Sequence, residues 1–178
     1  VIVDIEAERE RLRVGRAVGL VRAVLALLFG LPLLAWPFML PFAMRFLFAA
    51  YALADGIAAL VGARSAAGRG RRWLGLQGAV AITAALVAWV GVPLGEEPIR
   101  RVVAGWALAD GLLRAAMHAA GSWPLALLQG VVSVAFSLFL LSGPGSHRTG
   151  WVLAAGAYGV CLGVLTAAAG YLARPAPG

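Results

Sequence analysis

The sequence predicts an all-α membrane protein of six transmembrane helices, arranged as three repeated antiparallel hairpins about a pseudo-threefold axis. Three observations predict it. Of the 178 residues, 62% are hydrophobic and only 13% charged, whereas a soluble domain carries about a quarter charged residues. The apolar residues fall into six stretches of about 20 residues, each enough to cross a hydrocarbon core of about 30 Å as a helix. The hexapeptides YALADG (Tyr51–Gly56) and WALADG (Trp106–Gly111) recur 55 residues apart, which marks an internal repeat.

Within residues 1–16, the stretch 4–16 alternates acids with arginines. Glu6–Arg9 and Glu10–Arg13 pair at i,i+3, whereas Glu6 and Glu10 repel at i,i+4. A charged helix lying on, or just above, the cytoplasmic surface is expected there. The segment is too charged for a signal-peptide core and lacks a small-residue cleavage site, so the first span is expected to stay in the mature protein. The spans are Ala17–Trp36, Met39–Ala63, Trp73–Val92, Ile99–Ala120, Trp123–Ser142 and Thr149–Ala173. Their connections, WPFMLP, GVPLGEEP, GSWP and SGPGSHR among them, are short and rich in helix breakers. Short connections make sequential neighbours antiparallel. Residues 17–173 thus form one transmembrane domain with repeats at about 17–63, 73–120 and 123–173, followed by a tail at 174–178.

Every basic residue among the 15 is arginine, set against 8 acids for a net charge of +7. Because these arginines sit in short loops between apolar spans, they indicate membrane orientation rather than nucleic-acid binding. Arg9, Arg11, Arg13, Arg16, Arg64, Arg69, Arg71, Arg72, Arg114 and Arg174 fall toward one side. Arg45, Arg100, Arg101 and Arg148 fall toward the other. Ten against four places both termini in the cytoplasm. Trp36, Trp73, Trp123 and Trp151 stand at span ends, where interfacial anchors belong.

The same repeat register aligns AAYALADG (49–56), AGWALADG (104–111) and GAYGVCLG (156–163), with offsets of 55 and then 52 residues. The first helices align with equal offsets: LVRAVLALLFG (20–30), LGLQGAVAITA (74–84) and ALLQGVVSVAF (126–136). Arg22, Gln77 and Gln129 are then equivalent, as are Asp55, Asp110 and Leu162. Parallel repeats of this kind are related by an axis along the membrane normal.

These stretches, with RAVLALLFGLPLLAWP, FLFAAYALADGIAALVGA and RRWLGLQGAVAITAALVAW, resemble the HdeD-like acid-resistance membrane proteins, which are built from short repeats of unknown function. The resemblance runs from about Gly15 to Ala173. It implies a six-span protein of the bacterial inner membrane with a structural or acid-stress role, and it brings no catalytic residues. The third copy departs from the acidic pattern, and the charged N-terminal helix is peculiar to this chain.

Ionisable residues within a span are functional candidates. Arg22 lies at a depth from which it reaches Asp55, its hairpin partner. Asp110 has Gln77 in the matching place and Arg114 one turn below, in the favourable order for a helical ion pair. One reading is packing: interhelical polar contacts pin helices by about 0.6–2 kcal/mol each. The small-xxx-small pairs Ala52/Gly56, Ala107/Gly111 and Gly159/Gly163 support it, and Leu162 favours it, since a transport ring needs all three copies. The other reading is proton sensing or transport through Asp55 and Asp110, with Asp110, facing an amide and a more exposed Arg114, expected to protonate in mild acid.

The chemistry of enzymes has little to rest on. Cys161 is alone and aligns with Ala54 and Ala109, a packing position. His118 and His147 fall on opposite sides and cannot share a metal or haem. Glu96 and Glu97 with Arg100 and Arg101 read as a solvated helix cap. No cofactor, metal or catalytic set is expected. The expected partners are membrane lipid and either a second copy or a larger membrane complex, which the N-terminal helix or the lipid-facing surface would engage.

Overall fold

The computed structural model describes residues 2–38, 41–66, 68–91, 95–119, 124–142 and 148–172. Trp123, His147, Arg174 and the tail at 174–178 lie outside them. The described residues form six α-helices and no strand: α1 (Ile2–Ala35), α2 (Pro41–Ser65), α3 (Gly68–Leu86), α4 (Glu96–Ala119), α5 (Pro124–Leu141) and α6 (Arg148–Leu172). A π-helical turn, Val87–Gly91, extends α3.

The charged opening and the first apolar span are one uninterrupted helix. At 1.5 Å per residue the 34 residues of α1 reach about 50 Å, well beyond a hydrocarbon core of about 30 Å. Pro32 sits within the helix, and its carbonyl still accepts the Trp36 N–H at 2.8 Å.

Four stretches are long and apolar enough to cross a membrane: Arg13–Ala35, Phe42–Ser65, Gly68–Val90 and Thr149–Leu172. The six spans read from the sequence include two weaker ones. α4 carries Glu96, Glu97, Arg100, Arg101, Asp110 and Arg114, and the apolar run of α5, Leu125–Leu141, is shorter.

Each helix packs on its sequence neighbours, and α6 packs on α1, so the six close into a ring. The most extensive contacts are α2 with α3, α4 with α5, and α6 with α1. These pairs join different predicted hairpins. The helices within one hairpin touch more thinly.

Glycine explains the difference. A Cβ on Gly78 would stand 2.9 Å from the Gly56 carbonyl, and one on Gly111 would stand 2.9 Å from that of Gly130. On the α1–α6 face, a Cβ on Gly30 would come within 2.6 Å of the Val160 nitrogen and 2.7 Å of the Gly156 carbonyl. Backbones approach this closely only where side chains are absent.

The middle of the ring is filled by aromatic rings. Tyr51, Trp106 and Tyr158, from α2, α4 and α6, meet edge to face at 5.7 and 6.3 Å. Phe29 stacks on Tyr51 at 4.6 Å and Phe136 on Tyr158 at 4.2 Å. In the sequence register Phe29 and Phe136 align with Ala84, so the repeat with the bulkier Trp106 carries the smaller residue at that position. Trp151 corrects the reading of terminal tryptophans as interfacial anchors: it is 2% exposed and lies in the core. Trp36, at 68% exposed, does sit on the surface.

A candidate functional site in a buried polar belt

One helical turn from the aromatic layer, the chain buries what a bilayer interior tolerates least. Asp55 is 3% exposed and Asp110 1%. Their position on α2 and α4 follows from the i+4 spacing after Tyr51 and Trp106, which puts ring and carboxylate on one helix face.

Arg22 of α1 grips Asp55 with two parallel bonds, Nε donating to Oδ1 at 2.7 Å and Nη2 to Oδ2 at 2.9 Å. Such a fork fixes orientation as well as charge. The remaining arm, Nη1, donates to Oε1 of Gln77 on α3 at 3.0 Å. Gln77 passes the connection on, its amide nitrogen donating to Asp110 on α4. Arg114 donates from Nε to Asp110 Oδ2 at 2.6 Å and from Nη1 to Gln129 Oε1 of α5 at 2.8 Å. Gln129 Nε2 donates to Thr166 Oγ1 of α6 at 3.1 Å. A single hydrogen-bonded chain therefore touches all six helices.

The belt brings together every polar residue singled out from the sequence: Arg22, Asp55, Gln77, Asp110, Arg114 and Gln129. The expected greater exposure of Arg114 is absent, although Asp110 does face an amide where Asp55 faces the two-pronged Arg22. The Arg114 side chain is 12% exposed and that of Arg22 11%, so Arg114 is no closer to solvent. It is also drawn into the bundle rather than contributing to the surface charge on one side.

Thr166 escaped the sequence reading. In the 52-residue register it stands where Arg114 stands, so the alignment held the signal. Ser133 was missed too. Its hydroxyl lies 2.9 Å from the Tyr158 hydroxyl and 2.9 Å from the Gln129 carbonyl, which ties the belt to the aromatic layer.

The six small residues Ala52, Gly56, Ala107, Gly111, Gly159 and Gly163 are all buried. Gly56 and Gly111 face α3 and α5, and a Cβ on Gly163 would stand 3.0 Å from the Ala23 carbonyl of α1. The small residues thus sit beside the charges and bring the helices near enough for the belt to close.

Two further arginines close helix ends. Arg45 donates from Nε and Nη2 to the carbonyls of Ala88 and Trp89 in the π-turn. Arg100 donates to the Leu140 carbonyl at the end of α5 at 2.6 Å. Cations at a helix C-terminus satisfy orphan carbonyls and complement the macrodipole. Arg100 and Arg101 also pair with Glu97 at the start of α4. The hydrogen bond from Arg100 is the main reason its carboxyl is held below the ordinary range, with Arg101 adding to it.

Elsewhere the chemistry is sparse. Among the described residues no cluster of histidine, cysteine or acid could hold a metal. An apolar groove of about 400 Å³ between α5 and α6 is lined by Val132, Phe136, Phe139, Tyr158 and Cys161 among others, and none of the belt's charged residues reaches it.

Residues 21–90 match the family model described as Short repeat of unknown function (DUF308). The match takes in Arg22, Asp55 and Gln77. Among curated proteins and among solved structures, nothing matches the chain. The chain is thus a helical protein, with helices apolar enough for a membrane, that over residues 21–90 is similar to this short repeat.

Proposed function

We propose that the chain is a non-enzymatic, six-span protein of the bacterial inner membrane with both termini in the cytoplasm. Its role is structural or tied to acid stress, as in the HdeD-like proteins it resembles, and the belt holds three repeated hairpins about a pseudo-threefold axis. The observation that carries this reading is that four buried charges form two ion pairs bridged by Gln77, with close-packed helices around them. With Arg114 neutralised by Asp110, α4 enters the membrane with little net charge in its centre. That supports counting it as a span.

Charge balance supports the repeat and explains Leu162. The first unit holds Arg22 and Asp55, the second Asp110 and Arg114, and the third only neutral groups, Gln129, Leu162 and Thr166. Each unit's share of the belt is neutral by itself. An aspartate at 162 would have no arginine among the belt residues of its own unit. Leu162→Asp is therefore expected to cost about 2.5–3.5 kcal/mol, the insertion penalty of an aspartate at mid-helix. Adding Gln129→Arg recreates the 33-residue spacing of Arg22 and Asp55 and should recover part of that loss in a double-mutant cycle read by unfolding in detergent. No recovery would count against equivalent repeats.

The burial of both aspartates does not favour a transport path. Reconstituted into liposomes under a pH gradient, the protein is expected to pass no more protons than empty vesicles. A flux removed by Asp110→Asn would replace the structural reading with a transporter. A second reading, an accessory subunit of a larger membrane complex, draws on the length of α1, whose charged first turns precede its apolar span Arg13–Ala35 and offer a handle to a partner.

A further inference from the structure

We propose that the start of α3, with the adjoining ends of α1 and α2, binds the phosphate headgroup of an anionic phospholipid. α3 opens with Gly68, Arg69, Gly70, Arg71 and Arg72, and its first turn holds no acid. A helix N-terminus carries unbonded N–H groups and a positive partial charge, so it favours acids and anions. Three arginines there have the wrong sign. α4 shows the usual arrangement, opening with Glu96 and Glu97.

Five of the bundle's other arginines have partners among the described residues. Arg22 and Arg114 pair with aspartates, Arg100 and Arg101 with Glu97, and Arg45 with carbonyls. Arg69, Arg71 and Arg72, together with Arg64 at the end of α2, are without a hydrogen-bond or ion-pair partner among the described residues. Arg64, Arg69, Arg71 and Arg72 are all exposed. The indole N–H of Trp73, next in the chain, is a buried donor with no acceptor there either.

Location selects the ligand. The turn joins two helices of membrane-crossing length, Phe42–Ser65 and Gly68–Val90, so it stands at the level of lipid headgroups. Val18 of α1 lies against Gly62, where an added Cβ would meet it at 3.2 Å. The exposed Arg13 and Arg16 thus belong to the same end, and the acid beside them on α1 is the exposed Glu10, one turn outward. Juxtamembrane arginine clusters attract anionic lipid and are screened by salt. Arginine forks match phosphate oxygens, and free N–H groups at a helix start complete the cradle.

The test is thermal unfolding of the full chain in detergent, supplemented with phosphatidylglycerol, phosphatidylcholine or inorganic phosphate. Ligand bound only by the folded state raises the midpoint. Phosphatidylglycerol should raise it by several degrees, and the other two should not. The variant Arg69→Gln/Arg71→Gln/Arg72→Gln should lose the rise while matching the parent in phosphatidylcholine. Arg69→Lys/Arg71→Lys/Arg72→Lys, which keeps the charges that orient the chain, should retain more of it. Equal rises with both lipids, an equal rise with inorganic phosphate, or a full rise in the glutamine variant would overturn the site. If the glutamine variant does not fold, the parent decides in high salt, where loss of the phosphatidylglycerol effect supports the site and its persistence overturns it.

Discussion

Arg22→Ala is expected to destabilise the bundle by about 3–5 kcal/mol, because it strands the Asp55 carboxylate in a buried site without its counter-charge. The same substitution removes the donor to Gln77 Oε1, so the loss spreads to the Gln77–Asp110 bond. Asp55→Ala should cost a similar amount by leaving the guanidinium unpaired. The double replacement Arg22→Gln/Asp55→Asn should cost markedly less than either, since no charge is then left alone and two amides can still bond. Denaturant unfolding of the four proteins in one detergent reads the comparison. A double variant as unstable as the sum of the singles would mean that the pair does not act as a unit. Buried ion pairs are weak evidence for stability against an apolar alternative, but removing one partner is reliably expensive. Here the ring geometry raises the stakes, since the same arginine holds α1, α2 and α3 at once.

Gly30→Ala carries the second large effect. The new methyl would stand 2.6 Å from the Val160 nitrogen and 2.7 Å from the Gly156 carbonyl, both backbone atoms that move only with their helix. Overpacking of this kind costs about 1–3 kcal/mol, occasionally more, and it falls on the contact that closes the ring. Gly105→Ala is the counterpart: nothing lies within 4 Å of its added Cβ. That change should stabilise by about 0.5–1 kcal/mol through helix propensity alone. Helicity and unfolding midpoints of the two variants should move in opposite directions. If both fall alike, close approach at Gly30 is not what distinguishes them.

Much of this arrangement is legible in one dimension, and the reasons for the remainder are physical. Apolar length marks the helices, and a fixed register places Arg22 in depth with Asp55 and Gln77 with Asp110. Those relations depend only on rise per residue and antiparallel pairing. Which helices lie closest does not. Short connections tell which helices are adjacent, but closeness depends on which faces carry glycine opposite glycine, and those faces join neighbouring hairpins. Trp151 was misplaced for a related reason: a tryptophan at the start of a span reads as an interfacial anchor until the fold shows that its face points inward. Arg45 and Arg100 looked like surface charge because their acceptors, carbonyls at the ends of α3 and α5, become available only after tertiary packing. α4, read from the sequence as a span, is the most polar of the apolar stretches, and two of its charges, Asp110 and Arg114, pair with each other inside the bundle.

The α1–α6 contact bears on the order in which the protein is made. The face of α1 around Gly30 finds its principal partner only in α6, near Gly156 and Gly159, after four intervening helices have been synthesised. α2 meets α3, and α4 meets α5, almost at once. Until α6 is made, α1 is therefore left with its glycine face uncovered and only its thinner contact with α2 to hold it. Loop closure over so long a span is slow relative to neighbouring hairpins. The bond between Arg22 and Asp55 joins α1 to the next helix made, so it is the contact available to hold the first helix before the ring shuts.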